Sequence, residues 1–404
     1  MFIAKTSDGQ IVSLMNVSRE TLTHLKKQEQ YFCPACSGEL LLKMGMKKLP
    51  HFAHKSQCSI KPEGESQQHL LGKKKLFHWL TWQGFETQME CYLSELNQQP
   101  DLLFQWNGKK GVIEFQCSII PLEEMYRRTT NYINHSYRPL WIVDHRLITA
   151  QLKHRVQLNE FLTHFITRTS SGDSFILAMD PREEKFYTYH HIVPYSINRA
   201  FVTVQEFTLQ ERLEKLLISK DQSFPFYDYW FEETERWVKR LLIIPNGRKN
   251  TFLQFLYHHH LHLLDLPPEV GVPVPDMFII KNSPIEWQFY IWFYFLYQQR
   301  LGAVIPLEDI YSFLGNRLKQ LIVQRQLGRF QKSFWRQPVE AYLQFLTNIG
   351  FFRREGDKLI VKKIPLLINN PNVNRENVRR SFFRRYKGLI LQLFFNSRLI
   401  FPEQ

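Results

Sequence analysis

The spacing of apolar positions divides the chain into three regions, and the middle one is the most regular. From Gln67 to Trp82, Leu70, Leu71, Leu76, Phe77 and Leu80 form an apolar stripe at helical spacing. Phe85 to Leu93 alternates as a strand. Asp101 to Trp106 and Val112 to Ser118 predict two further strands, with Asn107-Gly108 starting the turn between them. Leu122 to Ile133 is a helix introduced by Pro121, and Pro139 to Val143 is a short buried strand. The expected order over residues 63–150 is helix, three strands, helix, strand, which argues for an α/β layer.

Residues 1–62 show short strands and turns. FIAKTSDGQIVSL predicts a hairpin that turns at Asp8-Gly9. From about residue 155 onward the pattern is aromatic, basic and mostly helical, with loops at Pro267-Pro268, Pro273 and Pro275. Near the end, Glu340 to Ile349 is a helix followed by FFRREGDKLIVKK, two strand-like runs around Glu355-Gly356-Asp357. With Leu307 to Leu318 as an earlier helix, this resembles the end of a winged-helix domain.

Charge narrows the partners. Fifty-two Lys and Arg against 38 Asp and Glu leave a net charge of +14 in 404 residues, 15% of them aromatic. Cations together with stacking groups favour nucleic acid over the competing acidic membrane surface. No segment reads as a membrane span: the most apolar run, Trp287 to Tyr297, is about half the length needed. MFIAKTSDGQ lacks the pattern of a signal peptide, and five cysteines, two of them in Cys-x-x-Cys, suit a reducing interior. A cytoplasmic location is the expectation.

Two clusters carry candidate chemistry. Cys33 and Cys36 sit on a turn, and His51, His54 and Cys58 follow shortly after. Thiolates and imidazoles in two close pairs are what a closed, structural zinc site requires. The favoured ligands are Cys33, Cys36, His54 and Cys58, with His51 the alternative to either member of the second pair. The second cluster is acidic. Asp101 begins one strand, and Glu114 and Gln116 project from the same face of the next. The turn at Asn107-Gly108 brings Asp101 beside Glu114, and two carboxylates there can hold Mg²⁺, or Mn²⁺, to activate water at a phosphodiester.

This motif and the element order resemble the PD-(D/E)xK nucleases. The resemblance implies that Glu65, at the start of the first helix, completes the metal site. His69 and Lys73, four and eight residues on, would face the DNA backbone. Gln116 stands where the family's usual lysine would be; a glutamine cannot supply that lysine's charge, which Lys73, Lys109 or Lys110 could bring from elsewhere.

The succession CPAC, HFAH, GESQQHLLGKKKL, PD, IEFQCS and a helix carrying Tyr126, Arg127 and Arg128 resembles the competence protein CoiA family. This implies a cytoplasmic protein of naturally transformable bacteria that acts on incoming single-stranded DNA or on recombination intermediates, with recombination proteins as further partners. The nuclease-like centre carries over to Glu65, Asp101, Glu114 and Gln116; Ser118, Arg127 and Arg128 match positions that support substrate phosphates. The fold class expected is therefore multidomain α+β. It comprises a zinc-ribbon-like β region at 1–62, a restriction-endonuclease-like (PD-(D/E)xK) α/β core at 63–150, and a mostly helical region with a winged helix at 151–404. The reading from another class is a non-catalytic DNA-binding recombination mediator that keeps the nuclease-like scaffold.

Overall fold

The computed structural model describes residues 1–396 except 29, 46–47, 57–63, 107, 153, 170–171, 219–226, 245–246, 318–319, 326, 328–332 and 368–373. The N-terminal part is a five-stranded sheet of β1 (Ile3–Lys5), β2 (Ile11–Ser13), β3 (Tyr31–Phe32), β4 (Glu39–Lys43) and β5 (His51–His54), in the order β2-β1-β3-β4-β5. Helix α1 (Arg19–Gln28) connects β2 to β3. The expected hairpin forms with Lys5 opposite Ile11, and Gly9 takes φ +85° in its turn.

The next elements follow the expected order: α2 (Gln67–Trp82), β6 (Thr87–Met89), β7 (Leu102–Trp106), β8 (Lys109–Gln116), α3 (Leu122–Asn134) and β9 (Arg138–Asp144). The Ser66 side chain caps α2 by accepting the His69 N–H at 3.1 Å. Strands β7 and β8 are antiparallel, whereas β8 and β9 run parallel with α3 as the crossover. Helices α2 and α3 cover opposite faces, so the ends of β8 and β9 are buried on both sides. A Cβ at Gly72 would fall 2.0 Å from the Phe115 ring, so the missing side chain lets α2 lie directly on β8.

The sheet does not stop at residue 150. Strands β10 (Ala150–Leu152), β11 (Arg155–Gln157), β12 (Thr167–Arg168), β13 (Ser174–Asp180), β14 (Lys185–Ser196) and β15 (Arg199–Thr208) extend it to ten strands. The order is β10-β11-β15-β14-β13-β9-β8-β7-β6, with β12 paired to β13, and α4 (Glu160–Thr163) lies between β11 and β12. The mostly helical pattern expected from about residue 155 is thus corrected for 150–208. Strand β14 is buried at nearly every position, so no polar alternation marks it as a strand.

Helices dominate only afterwards: α5 (Leu213–Leu216), α6 (Tyr227–Leu242), α7 (Thr251–His258) and α8 (Pro284–Trp292), which continues into a π-helical turn at Phe293–Tyr297. The aromatic run is a core element, as Trp287, Phe289 and Trp292 are fully buried. Then come β16 (Val304–Pro306), α9 (Leu307–Gly315), α10 (Arg336–Asn348), β17 (Phe352–Glu355), β18 (Lys358–Val361) and α11 (Arg375–Asn396), with a small sheet ordered β16-β18-β17. Helix α10 is largely buried, and Phe345 meets Phe382 and Tyr386 of α11. Arg379 is buried as well, its Nε donating to Glu235 at 2.8 Å. Among the described residues, no helix is long and apolar enough to cross a membrane.

Candidate active site

A cleft opens where β7 begins and β8 ends. Leu102 lies opposite Ile113, and Asp101 and Glu114, the residues just beyond them, both line the cleft. Asp101 is 2% exposed; its Oδ2 accepts the Phe115 N–H at 2.9 Å and lies 3.0 Å from His69 Nε2. Glu65 precedes the cap of α2, with Oε1 3.7 Å from His69 Nδ1. One ligand atom each from Glu65, His69 and Asp101 lies within 4.8 Å of the others. Two carboxylates and an imidazole at that spacing could hold a divalent cation, and His69 lines the cleft against both acids.

Glu114 lines the same cleft but faces α3. The Tyr132 hydroxyl donates to its Oε1 at 2.5 Å, and Arg128 Nη2 donates to the same oxygen. Burial opposes the charge on Arg128, but Glu114, Tyr132 and Asp101 outweigh it and hold the guanidinium above its usual pKa. Burial, then Glu114, pushes the Tyr132 hydroxyl well above its ordinary value, so it stays a donor. At the rim, Gln116 Nε2 donates to the Ser118 carbonyl at 2.8 Å and lies 3.4 Å from its hydroxyl.

Lys73 is placed elsewhere than expected. It is fully buried, donating to Glu65 Oε1 at 2.5 Å and to Glu90 Oε1, so it cannot face a DNA backbone. Burial works against its ammonium, yet Glu65, Glu90 and Asp101 outweigh that and raise its pKa. Arg127 is exposed on α3 and does not line the cleft.

Two residues went unnoticed in the sequence. Tyr132 follows Arg128 by four positions, a spacing that places both on one helix face and could have signalled it. Glu90 carried no local signal. Its Oε2 accepts the Phe2 and Ile3 N–H groups at 2.6 and 3.0 Å, tying β1 to the core beneath the cleft. The α-ammonium of Met1 lies 2.7 Å from Glu65 Oε2.

The cysteine cluster assembles on the turn between β3 and β4 and on β5. Cys33, Cys36 and His54 offer ligand atoms within 4.8 Å of one another, and Cys36 Sγ lies 3.4 Å from His54 Nε2. Gly38 N–H donates to Cys36 Sγ at 3.4 Å. Burial pushes the Cys33 thiol up to about 12 and lowers His54, as expected for groups drawn partly out of water. His51 stands outside this set, with Nδ1 2.9 Å from the Leu49 carbonyl. Cys58 lies outside the described residues.

Comparison with known proteins covers all three parts of the chain. Residues 14–61 match the competence protein CoiA N-terminal domain, 65–222 its nuclease-like domain, and 226–370 its C-terminal domain. The curated relative "Competence protein CoiA" of Bacillus subtilis (strain 168) is 26% identical over 348 residues, 84% of this chain and 91% of its own length. No solved structure matches. The nuclease-like match begins at Glu65 and runs past β15, in agreement with the continuous sheet, and the chain belongs to the competence protein CoiA family.

Proposed function

We propose that this protein is a metal-dependent DNA nuclease of natural transformation and recombination, acting on single-stranded or branched DNA. The observation that carries this reading is the convergence of Glu65, His69 and Asp101 on one point of a cleft that Glu114 also lines. These residues would hold Mg²⁺ or Mn²⁺, which supplies an activated water and neutralises charge on a phosphodiester. Asp101 is oriented by the Phe115 amide, so its carboxylate is set before substrate arrives. Arg128, with Glu114 beside it, is the cation in the cleft where Gln116 lacks one. Gln116 and Ser118 form a polar rim that can orient a water or a phosphate oxygen.

The same reading assigns zinc to Cys33, Cys36 and His54, with Cys58 as fourth ligand, in a ribbon-like N-terminal unit. The succession β16-α9-α10-β17-β18 supports a winged-helix-like unit near the C-terminus, although burial of α10 leaves its hairpin, with Arg353, Arg354 and Lys358, as the exposed basic part.

The second reading, a DNA-binding mediator without cleavage, is favoured by one feature: Glu114 is engaged by Arg128 and Tyr132 while Gln116 replaces a lysine. The test uses single-stranded, duplex and branched DNA with Mg²⁺ or Mn²⁺. Cleavage abolished by Asp101→Ala and by Glu114→Ala is the expected result. Cleavage indifferent to both substitutions sinks the site, and binding without any cleavage selects the mediator.

A further inference from the structure

Beyond the cleft, residues 279–281 and 323–325 pair as a short antiparallel ladder. Lys281 N–H donates to the Val323 carbonyl at 2.7 Å and Arg325 N–H to the Ile279 carbonyl at 2.8 Å, with Ile280 opposite Gln324 between them. Val323 N–H also donates to Asn282 Oδ1 at 2.6 Å. The ladder holds Lys281 and Arg325 in the wall of a cavity of about 290 Å³, closed by Glu160 and His164 at α4 and by Leu122 on the first turn of α3.

Arg325 is the unusual member. It is 4% exposed; Nη2 donates to the Ile197 carbonyl at 2.5 Å, while Nε and Nη1 are buried without a partner among the described residues. A guanidinium out of water with donors unmatched costs on the order of a few kcal/mol, so such a group calls for an acceptor. Burial brings its pKa down to about 10, against a small opposing effect of Glu160. Glu160 is itself held by Lys281 at 2.6 Å. Burial also lowers the pKa of His164, leaving that imidazole neutral near pH 7. Two cations and one carboxylate then face the cavity, a net charge of one positive.

The cavity adjoins the candidate active site. Leu122 lines the cavity, and Ile120 and Glu124, two residues to either side, line the cleft. Lys281 and Arg325 thus line a cavity bordered by the first turn of α3, whose neighbouring residues line the cleft. We propose that this cavity is an anion site that receives a phosphate of the strand held in the Glu65–His69–Asp101 cleft; the proposal rests on that cleft being a nucleic-acid site. The phosphate displaces Glu160 from Lys281 and offers Arg325 the acceptors it lacks.

The test compares the full chain with Lys281→Gln, Arg325→Gln and Glu160→Gln in two measurements. One is the rise in Tm on adding inorganic phosphate at constant ionic strength; the other is binding of a labelled single-stranded oligonucleotide as a function of salt. Phosphate is expected to raise the wild-type Tm, and Lys281→Gln and Arg325→Gln to remove the rise. Lys281→Gln should weaken oligonucleotide binding several-fold and reduce the salt slope by about 1. Glu160→Gln should strengthen both effects, which a variant that merely folds poorly cannot do. A wild-type Tm indifferent to phosphate, with the oligonucleotide bound equally by all the variants, overturns the proposal while leaving the cleft intact. A phosphate effect lost in Lys281→Gln, with no oligonucleotide bound by any form, overturns the strand role and the nucleic-acid reading together. The cavity is then a free-anion site.

Discussion

Lys73 shows how far a single side chain depends on what surrounds it. Its ammonium sits between Glu65 and Glu90 with no exposure, so it orients one candidate metal ligand and compensates a carboxylate beneath it. Lys73→Met leaves buried acids without their cation and should cost about 3–5 kcal/mol in urea unfolding, where a lysine that only touched DNA would cost nothing. Tyr132→Phe removes one donor from Glu114 and should cost about 1.5–3 kcal/mol, the usual range for a hydrogen bond to a charged group. His190 is buried with both ring nitrogens unpartnered among the described residues, and burial lowers its pKa from 6.5 to about 3. The unfolded chain then binds a proton that the folded chain refuses. Stability from this site is complete above pH 6.5 and falls as pH drops toward 3, by on the order of 3–5 kcal/mol. His190→Phe should flatten that part of a Tm-versus-pH curve; an unchanged curve refutes the assignment.

At the scale of elements, the contact of α2 with β8 sets the cleft. Gly72 lets the helix lie on Phe115, and that packing aims His69 at Asp101. Gly72→Ala gains up to about 1 kcal/mol in helix propensity but drives a methyl into the ring, and overpacking of this kind costs about 1–3 kcal/mol. The net expectation is a lower Tm, partly restored by adding Phe115→Leu. The elements around this contact were legible because α2 carries a regular apolar stripe and Asn107-Gly108 separates two strand-like runs. Strands β13 to β15 were not. In β13, β14 and the first half of β15 the positions are buried over long runs, so the alternation that identifies a half-exposed strand is absent there. The same loss of contrast hid the continuation of the sheet past residue 150.

For the whole molecule, Glu90 joins the N-terminal sheet to the nuclease-like core, since Phe2 and Ile3, at the start of β1, donate two amides to a carboxylate that Lys73 neutralises. If Cys33, Cys36 and His54 hold zinc, removing it with a chelator should lower the Tm of the full chain and release zinc measurable by mass spectrometry. Cys36→Ser should reproduce both effects. A chain that contains no zinc and keeps its Tm through chelation refutes the assignment.

The order helix, three strands, helix, strand was determined by the sequence, as was the gathering of Cys33, Cys36 and His54. Each follows from local periodicity, turn chemistry or close spacing, which act over a few residues. Which side of the cleft each charge serves was decided only by tertiary structure. His69 turned inward to Asp101, Lys73 sank between Glu65 and Glu90, and Arg128 closed on Glu114. Apart from Glu65, eight residues before Lys73, the partners lie 14 to 32 residues away in the chain, where no local pattern exists. A buried charge takes its role from the countercharge that the fold brings to it.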